Sequence, residues 1–335
     1  MLAKIASKQD LGQQEAYTLF LGIMDGQLDH DELEVLLRAL ARKGECINEI
    51  VGAARAMRSR VTPVQTPSGV SAIDTCSTGG DGMQTFNIST TVAIVAAAAG
   101  VTVAKHGNRS NARVSGSAEG LAALGINIEA DVPTLEHCLR ECRLAFLFAQ
   151  KLHPAMRYVA PVRKKLGIRT IFNLVGPLTN PAGVRRQLLG VNRVELVESM
   201  GQVLCELGAE RAMVVHGLDG MCDLSISSPS RISSWDGKTL TVGEVDCSVV
   251  GAQPASMEEL FVGSPMESAQ VIERVLNGQK GAARDIVVFN TAAALWVAGQ
   301  ADDWNAGVVQ AQAAIDSGAA AATLAGWREH SRGGM

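Results

Sequence analysis

From about residue 70 onward, short apolar runs of β type alternate with longer Ala-rich segments of helical period, which leaves room for essentially one class of architecture. Parallel strands need crossovers long enough to hold a helix. The pattern therefore calls for an α/β fold with a central, mostly parallel sheet flanked by helices. The candidate strands are residues 71–75, 101–104, 144–148 and 212–216, with a fifth at 285–289 that could equally begin a helix. No period of 20 to 50 residues repeats, so a solenoid or propeller is excluded.

The first 60 residues read differently. Asp29 with Glu32 forms a capping box, Leu33, Leu36, Leu37 and Leu40 follow at helical spacing, and Gly44 stops the helix. Similar signals at 10–24 and 47–57 make this part a small all-helical unit without a strand pattern. The acidic run Asp25, Asp29, Asp31 and Glu32 lacks the ligand spacing and mid-loop Gly of a calcium loop, so it serves a helix start. The stretch VTPVQTPSGV, with Pro63 and Pro67, is the linker. The expected domains are 1–65, helical, joined by a hinge or helical contribution from about 160–185, and 70–330, α/β. Residues 331–335 are a terminal tail expected to fray.

Charge and composition narrow the function. With 30 Lys+Arg against 34 Asp+Glu the net charge is -4, and aromatics are 4% of the chain, so neither an electrostatic footprint nor a stacking platform for nucleic acid is expected. Seven cysteines without a CxxC read as free thiols in a reducing compartment. The most apolar stretch, 92–104, is too short to span a membrane, and the N-terminus has no sustained apolar run, so the expectation is a cytoplasmic protein with no membrane partner.

Three segments could carry chemistry. The first is Cys76-Ser77-Thr78-Gly79-Gly80-Asp81-Gly82, followed by Asn87, Ser89 and Thr90 at the start of an apolar helix. Glycines after a strand let the backbone approach an anion, and a helix start offers N–H groups and hydroxyls to phosphate. A tight turn with an N-cap explains the same letters, and neither GxGxxG nor GxxxxGK[ST] is present. The second is Lys105-His106-Gly107-Asn108-Arg109, leading to Ser117; loops at the carboxyl ends of parallel strands line the ligand crevice, so these cations would face the first loop. The third runs from His153 through Arg163 to the Pro- and Gly-rich 173–181, where Arg163 and His153 could orient a small anion or form a solvated basic face.

Together TGGDG with NIST, KHGNRS with SGS, HPAMR, VRKKLGIRTIFN, GPLTNPAG and VVHG resemble the anthranilate phosphoribosyltransferase family, and the resemblance covers nearly the whole chain. It implies a helical domain plus an α/β domain, a homodimer, and transfer of phosphoribose from phosphoribosyl pyrophosphate to the amino group of anthranilate in tryptophan biosynthesis. Carried over by motif, it implies donor contacts at Gly79, Gly80, Asp81, Asn87, Ser89, Thr90, Lys105, Asn108 and Ser117. It implies anthranilate contacts at His106, Asn108, His153, Arg163 and Gly176, with Arg163 meeting the carboxylate. Magnesium, as one or two ions, would be held by Ser89 and Asp223. No general base is assigned, because a neutral arylamine is already nucleophilic.

The chain departs from the family pattern in three places. Cys222-Asp223 stands where the family has Asp-Glu, and a thiol is a poor ligand for hard magnesium. Asp219 or Asp81, or pyrophosphate and water, would have to fill the gap. Ser77 replaces a Gly, and Asn111-Ala112-Arg113-Val114 replaces a Ser-rich stretch ending in Lys, where Arg113 would restore the charge. These departures leave two alternatives open: a same-fold transferase or phosphorylase with another substrate, and a catalytically weak binding or regulatory paralogue.

Overall fold

The computed structural model describes residues 1–109 and 114–333. The replacement segment at 111–113, Arg113 included, and the last two residues lie outside the described residues.

The N-terminal unit is built from α1 (Leu2–Ala6), α2 (Gln13–Met24), α3 (His30–Lys43) and α4 (Ile47–Arg58). The Asp29 carboxylate accepts from the Asp31 and Glu32 amides at 2.9 and 2.8 Å, and Glu32 reaches back to Asp29 N at 3.1 Å, so the capping box is complete. Leu33, Leu36, Leu37 and Leu40 are all buried. Asp25 is bound by the Arg60 guanidinium at 2.7 Å, which accounts for another member of the acidic run. Helices α2 and α4 pack closely because Gly52 has no side chain; a Cβ there would lie 2.5 Å from Gln13 O and 2.6 Å from Ala16 Cβ. The core of this unit continues into Val159, Val162, Ile171, Phe172 and Val175, and through Val197 and Met200 reaches one face of the sheet.

Seven strands form the sheet: β1 (Ile73–Ser77), β2 (Val103–Gly107), β3 (Leu144–Phe148), β4 (Arg186–Gly190), β5 (Arg211–Gly217), β6 (Ser230–Trp235) and β7 (Leu240–Val245). Their order is β3-β2-β1-β4-β5-β6-β7, with β1 to β5 parallel and β6 and β7 antiparallel at one edge. The chain runs outward from β1 to β2 and β3, then returns to the other side of β1 to start β4. That reversal makes the β1/β4 boundary the switch point, where the crevice of an open parallel sheet opens at the strands' carboxyl ends.

The helix α5 (Ile88–Ala98) follows β1 and is apolar on nearly all sides, because it packs against the sheet and the helices Ala282–Ala298, Trp304–Asp316 and Ala319–His330. The ambiguous run 285–289 belongs to the helix Ala282–Ala298, so its strand reading is corrected. Its apolar letters are those of a helix buried all round, and a five-residue window cannot separate that from a buried strand. Strands β4, β6 and β7 were not expected from the sequence. In the short RQLLG run of β4 no alternation is visible, while β6 and β7 are polar edge strands on the rim. At the far end, Ser331 is buried and its Oγ accepts from Asn127 N at 3.1 Å.

Candidate active site

Four loops meet at the carboxyl ends of β1, β2, β4 and β5. In the first, Gly79, Gly80 and Gly82 take left-handed φ values of 61, 79 and 72°, a run that side chains with a Cβ rarely adopt. The loop is tied down at both ends: Asn192 Nδ2 donates to Gly80 O at 3.3 Å, and Asp81 Oδ2 accepts the Cys222 amide at 3.2 Å. Gly190, at the end of β4, allows the Cys222 loop to close in, since a Cβ there would fall 1.7 Å from Cys222 O.

Lys105 is 1% exposed and its ammonium reaches Thr75 O at 2.6 Å and Ser89 Oγ at 3.1 Å. Burial pulls Lys105 below the usual lysine range, and the carboxylates of Asp74 and Asp223 counter that pull. Thr75 and Ser89, which Lys105 contacts, line a cavity of 10 Å³ together with Cys222, Asp223 and Asn290 among others, about the room one water needs. Ser89 and Asp223 thus line one cavity, and Lys105 donates to Ser89 Oγ.

The metal-loop departure has a specific geometry. Cys222 is 1% exposed and its thiol lies near enough to the Arg169 guanidinium to act on its charge. Asp219 does not come forward to replace it: its carboxylate accepts the Met221 amide at 3.2 Å and the hydroxyls of Ser225 and Ser227. Asn290 clamps the same loop, taking Leu224 N on Oδ1 and giving Nδ2 to Leu224 O, each at 2.9 Å.

Asn87 is turned into the fold. Its Oδ1 accepts from Ser115 Oγ at 2.7 Å and Ser268 Oγ at 2.6 Å, and its Nδ2 donates to Ser115 O at 3.1 Å. A side chain so engaged anchors the start of α5. Thr90 is fully buried, Asn108 is exposed with Oδ1 accepting the Arg109 amide at 2.8 Å, and Ser117 begins the helix Ser117–Ala123 against Gly107.

The histidines form a second wall. His106 and His153 stack with ring centroids 5.0 Å apart, and burial lowers both, His106 well below the usual histidine range, so both rings are neutral at pH 7. His153 Nε2 faces Thr179 O at 3.0 Å and Thr179 Oγ1 at 3.1 Å, and its Nδ1 faces Ala149 O at 3.1 Å, which fixes the ring plane. His106 Nε2 is buried with no protein partner among the described residues. Arg163 donates to Asn173 Oδ1 at 3.3 Å and lies over the Phe172 ring, on the segment that continues to Gly176 and Thr179.

The sequence reading missed Asp74 and Asn180. Asp74 is fully buried in β1; burial raises it to about 6 against the pull of Asn180, Lys105 and the His106 amide. Its signal was a lone acid inside an apolar strand, since buried charges are almost always paired.

Known proteins share this architecture. Profiles described as "Glycosyl transferase family, helical bundle domain" and "Glycosyl transferase family, a/b domain" match residues 1–61 and 69–321. The chain is 46% identical over 325 residues to an anthranilate phosphoribosyltransferase of Rhodospirillum rubrum, covering 97% of this chain and 93% of that one. It is 47% identical over 324 residues to that of Methylobacterium radiotolerans, with the same coverage. Among solved structures, the anthranilate phosphoribosyltransferase of Thermus thermophilus superposes with a TM-score of 0.93 at 39% identity, covering 99% of each chain. The Saccharomyces cerevisiae enzyme in complex with PRPP and Mg superposes with a TM-score of 0.89 at 25% identity, covering 99% of this chain and 96% of that one.

Proposed function

The chain belongs to the anthranilate phosphoribosyltransferase family, and on that premise we propose that it transfers phosphoribose from phosphoribosyl pyrophosphate to the amino group of anthranilate, releasing pyrophosphate. The observation that carries the reading is the meeting of a buried ammonium, Lys105, with a neutral histidine wall at the ends of adjacent strands. One supplies charge for the pyrophosphate leaving group, and the other a surface for a flat arylamine whose amino group is uncharged.

In this reading the N–H groups of the 79–82 loop, Lys105 and Ser89 receive the phosphates, and Ser117 and Asn108 the rest of the donor. As the C–O bond to pyrophosphate breaks, the ribosyl carbon gains oxocarbenium character and the amine lone pair attacks it. The amine proton leaves to solvent or product phosphate, so no protein base is needed. Neutral His106 and His153 leave the amine unprotonated, and Arg163 holds the carboxylate. Asn87 acts by holding the start of α5.

The residues fit magnesium. Ser89 and Asp223 bring hard oxygen donors to one small cavity and would hold magnesium there. When bound, magnesium offsets charge building on the leaving group. The Cys222 thiol contributes nothing to a hard cation.

We also propose that residues 1–65, with 160–185, and 70–330 act as two units, supported by the separate family matches over 1–61 and 69–321. The protein works as a homodimer in the cytoplasm. Exposed Met1 and Leu2 lie beside α1's partner helix α3, which carries exposed Val35, and the seven cysteines are free. No helix among the described residues is long and apolar enough to cross a membrane. Val35→Glu should convert dimer to monomer in sedimentation; an unchanged dimer removes this face from the interface.

The reaction itself is tested by product stoichiometry: one pyrophosphate should be released per anthranilate consumed, and none with nucleosides and inorganic phosphate. Phosphorolysis of a nucleoside would overturn the assignment. Arg163→Ala should raise the KM for anthranilate on the order of 10-fold while moving the donor KM far less, since it meets the acceptor carboxylate alone. Equal rises in both would remove Arg163 from that role.

A further inference from the structure

Among the described residues, β1 and β2 pair in register at Ile73–Val103 alone, whereas β1 and β4 run together over five residues. In a continued parallel ladder Thr75 N–H would donate to Ala104 O and His106 N–H to Thr75 O. Other groups have taken those places. Ala104 O accepts from Asn180 Nδ2 at 2.8 Å, His106 N donates to Asp74 Oδ1 at 3.0 Å, and Thr75 O, released from the ladder, accepts the Lys105 ammonium at 2.6 Å. Asn180 Nδ2 also donates to Asp74 Oδ2 at 2.8 Å, while its Oδ1 accepts Ala182 N at 2.9 Å, so amide and carboxylate form one inserted unit with a fixed orientation.

We propose that Asp74 and Asn180 are positioning residues for the transfer reaction: together they wedge β1 from β2, and the opening they hold seats Lys105 and aligns His106 with His153. This rests on the reaction proposed above. Neither residue touches substrate. Asn180 follows Thr179, whose carbonyl and hydroxyl oxygens face His153 Nε2, so the wedge joins the donor charge and the acceptor wall. A closed ladder would give Thr75 O to His106 N and leave the Lys105 ammonium without its strongest acceptor.

The test compares Asn180→Ala, Asp74→Asn and the double variant with wild type, measuring kcat and both KM values together with the thermal midpoint. Asn180→Ala is the milder change, because Asp74 keeps the His106 amide and Lys105. It should raise the anthranilate KM roughly 10-fold, with a smaller change for the donor, since sub-ångström misplacement at a wall weakens binding there first. Asp74→Asn should lower kcat on the order of 10²-fold, and the double variant should be little worse than Asp74→Asn, as expected for one unit. A merely structural role would reduce the active fraction and leave both KM values unmoved. Folded Asn180→Ala with kcat and both KM values within about twofold of wild type overturns the proposal. If Asp74→Asn does not fold, Asn180→Ala and Asn180→Ser decide it by the same criterion. Absence of wild-type turnover would instead overturn the reaction, which separates the two failures.

Discussion

Lys105→Met should lower kcat/KM for phosphoribosyl pyrophosphate on the order of 10³-fold, the range seen when one preorganised charge-stabilising donor is removed from an enzyme. The reason is the position of the ammonium: it is 1% exposed and already pointed by Thr75 O and Ser89 Oγ, so the site meets the leaving group without reorganising. Methionine retains most of the stem volume and removes only the charge. The variant also strips Asp74 of a nearby countercharge, so some loss of stability accompanies the kinetic loss. Kinetics under conditions where the variant is folded separate the two. A folded Lys105→Met within about tenfold of wild type would show that the ammonium is structural.

Asp223→Ala should reduce turnover on the order of 10²-fold and raise the magnesium concentration needed for half-maximal rate, because it removes the one carboxylate among the residues that line the cavity. Cys222→Asp should move that concentration the other way, several-fold downward, by adding a hard ligand beside Asp223. The Arg169 guanidinium competes for the new carboxylate. An unmoved magnesium titration in both variants would take the ion away from this loop.

The elements legible in the sequence were those whose signal is local. The Asp29 capping box, the leucine spacing of α3, and the strand–glycine–helix pattern at 73–98 each lie within one short window and appear as expected. Features set by distant packing were not legible. The 285–289 run became helix because α5 and the sheet bury it on all sides, and polar β6 and β7 are strands because β5 offers them an edge. The same division holds in the site. Lys105 and His106 stood out at the end of a strand, while the partners that hold Asn87, Ser115 and Ser268, lie up to 181 positions away and were not legible. Asp74 and Asn180 meet across 106 positions, so no window could have paired them.

The central claim is that donor and acceptor meet at the ends of β1 and β2 in a magnesium-assisted transfer. It is tested most directly by following anthranilate fluorescence in the wild-type protein after adding phosphoribosyl pyrophosphate, with magnesium titrated from zero. Fluorescence should be lost at a rate that rises with magnesium and saturates, despite the thiol at position 222. No loss at any magnesium concentration, with the donor still bound, would contradict it.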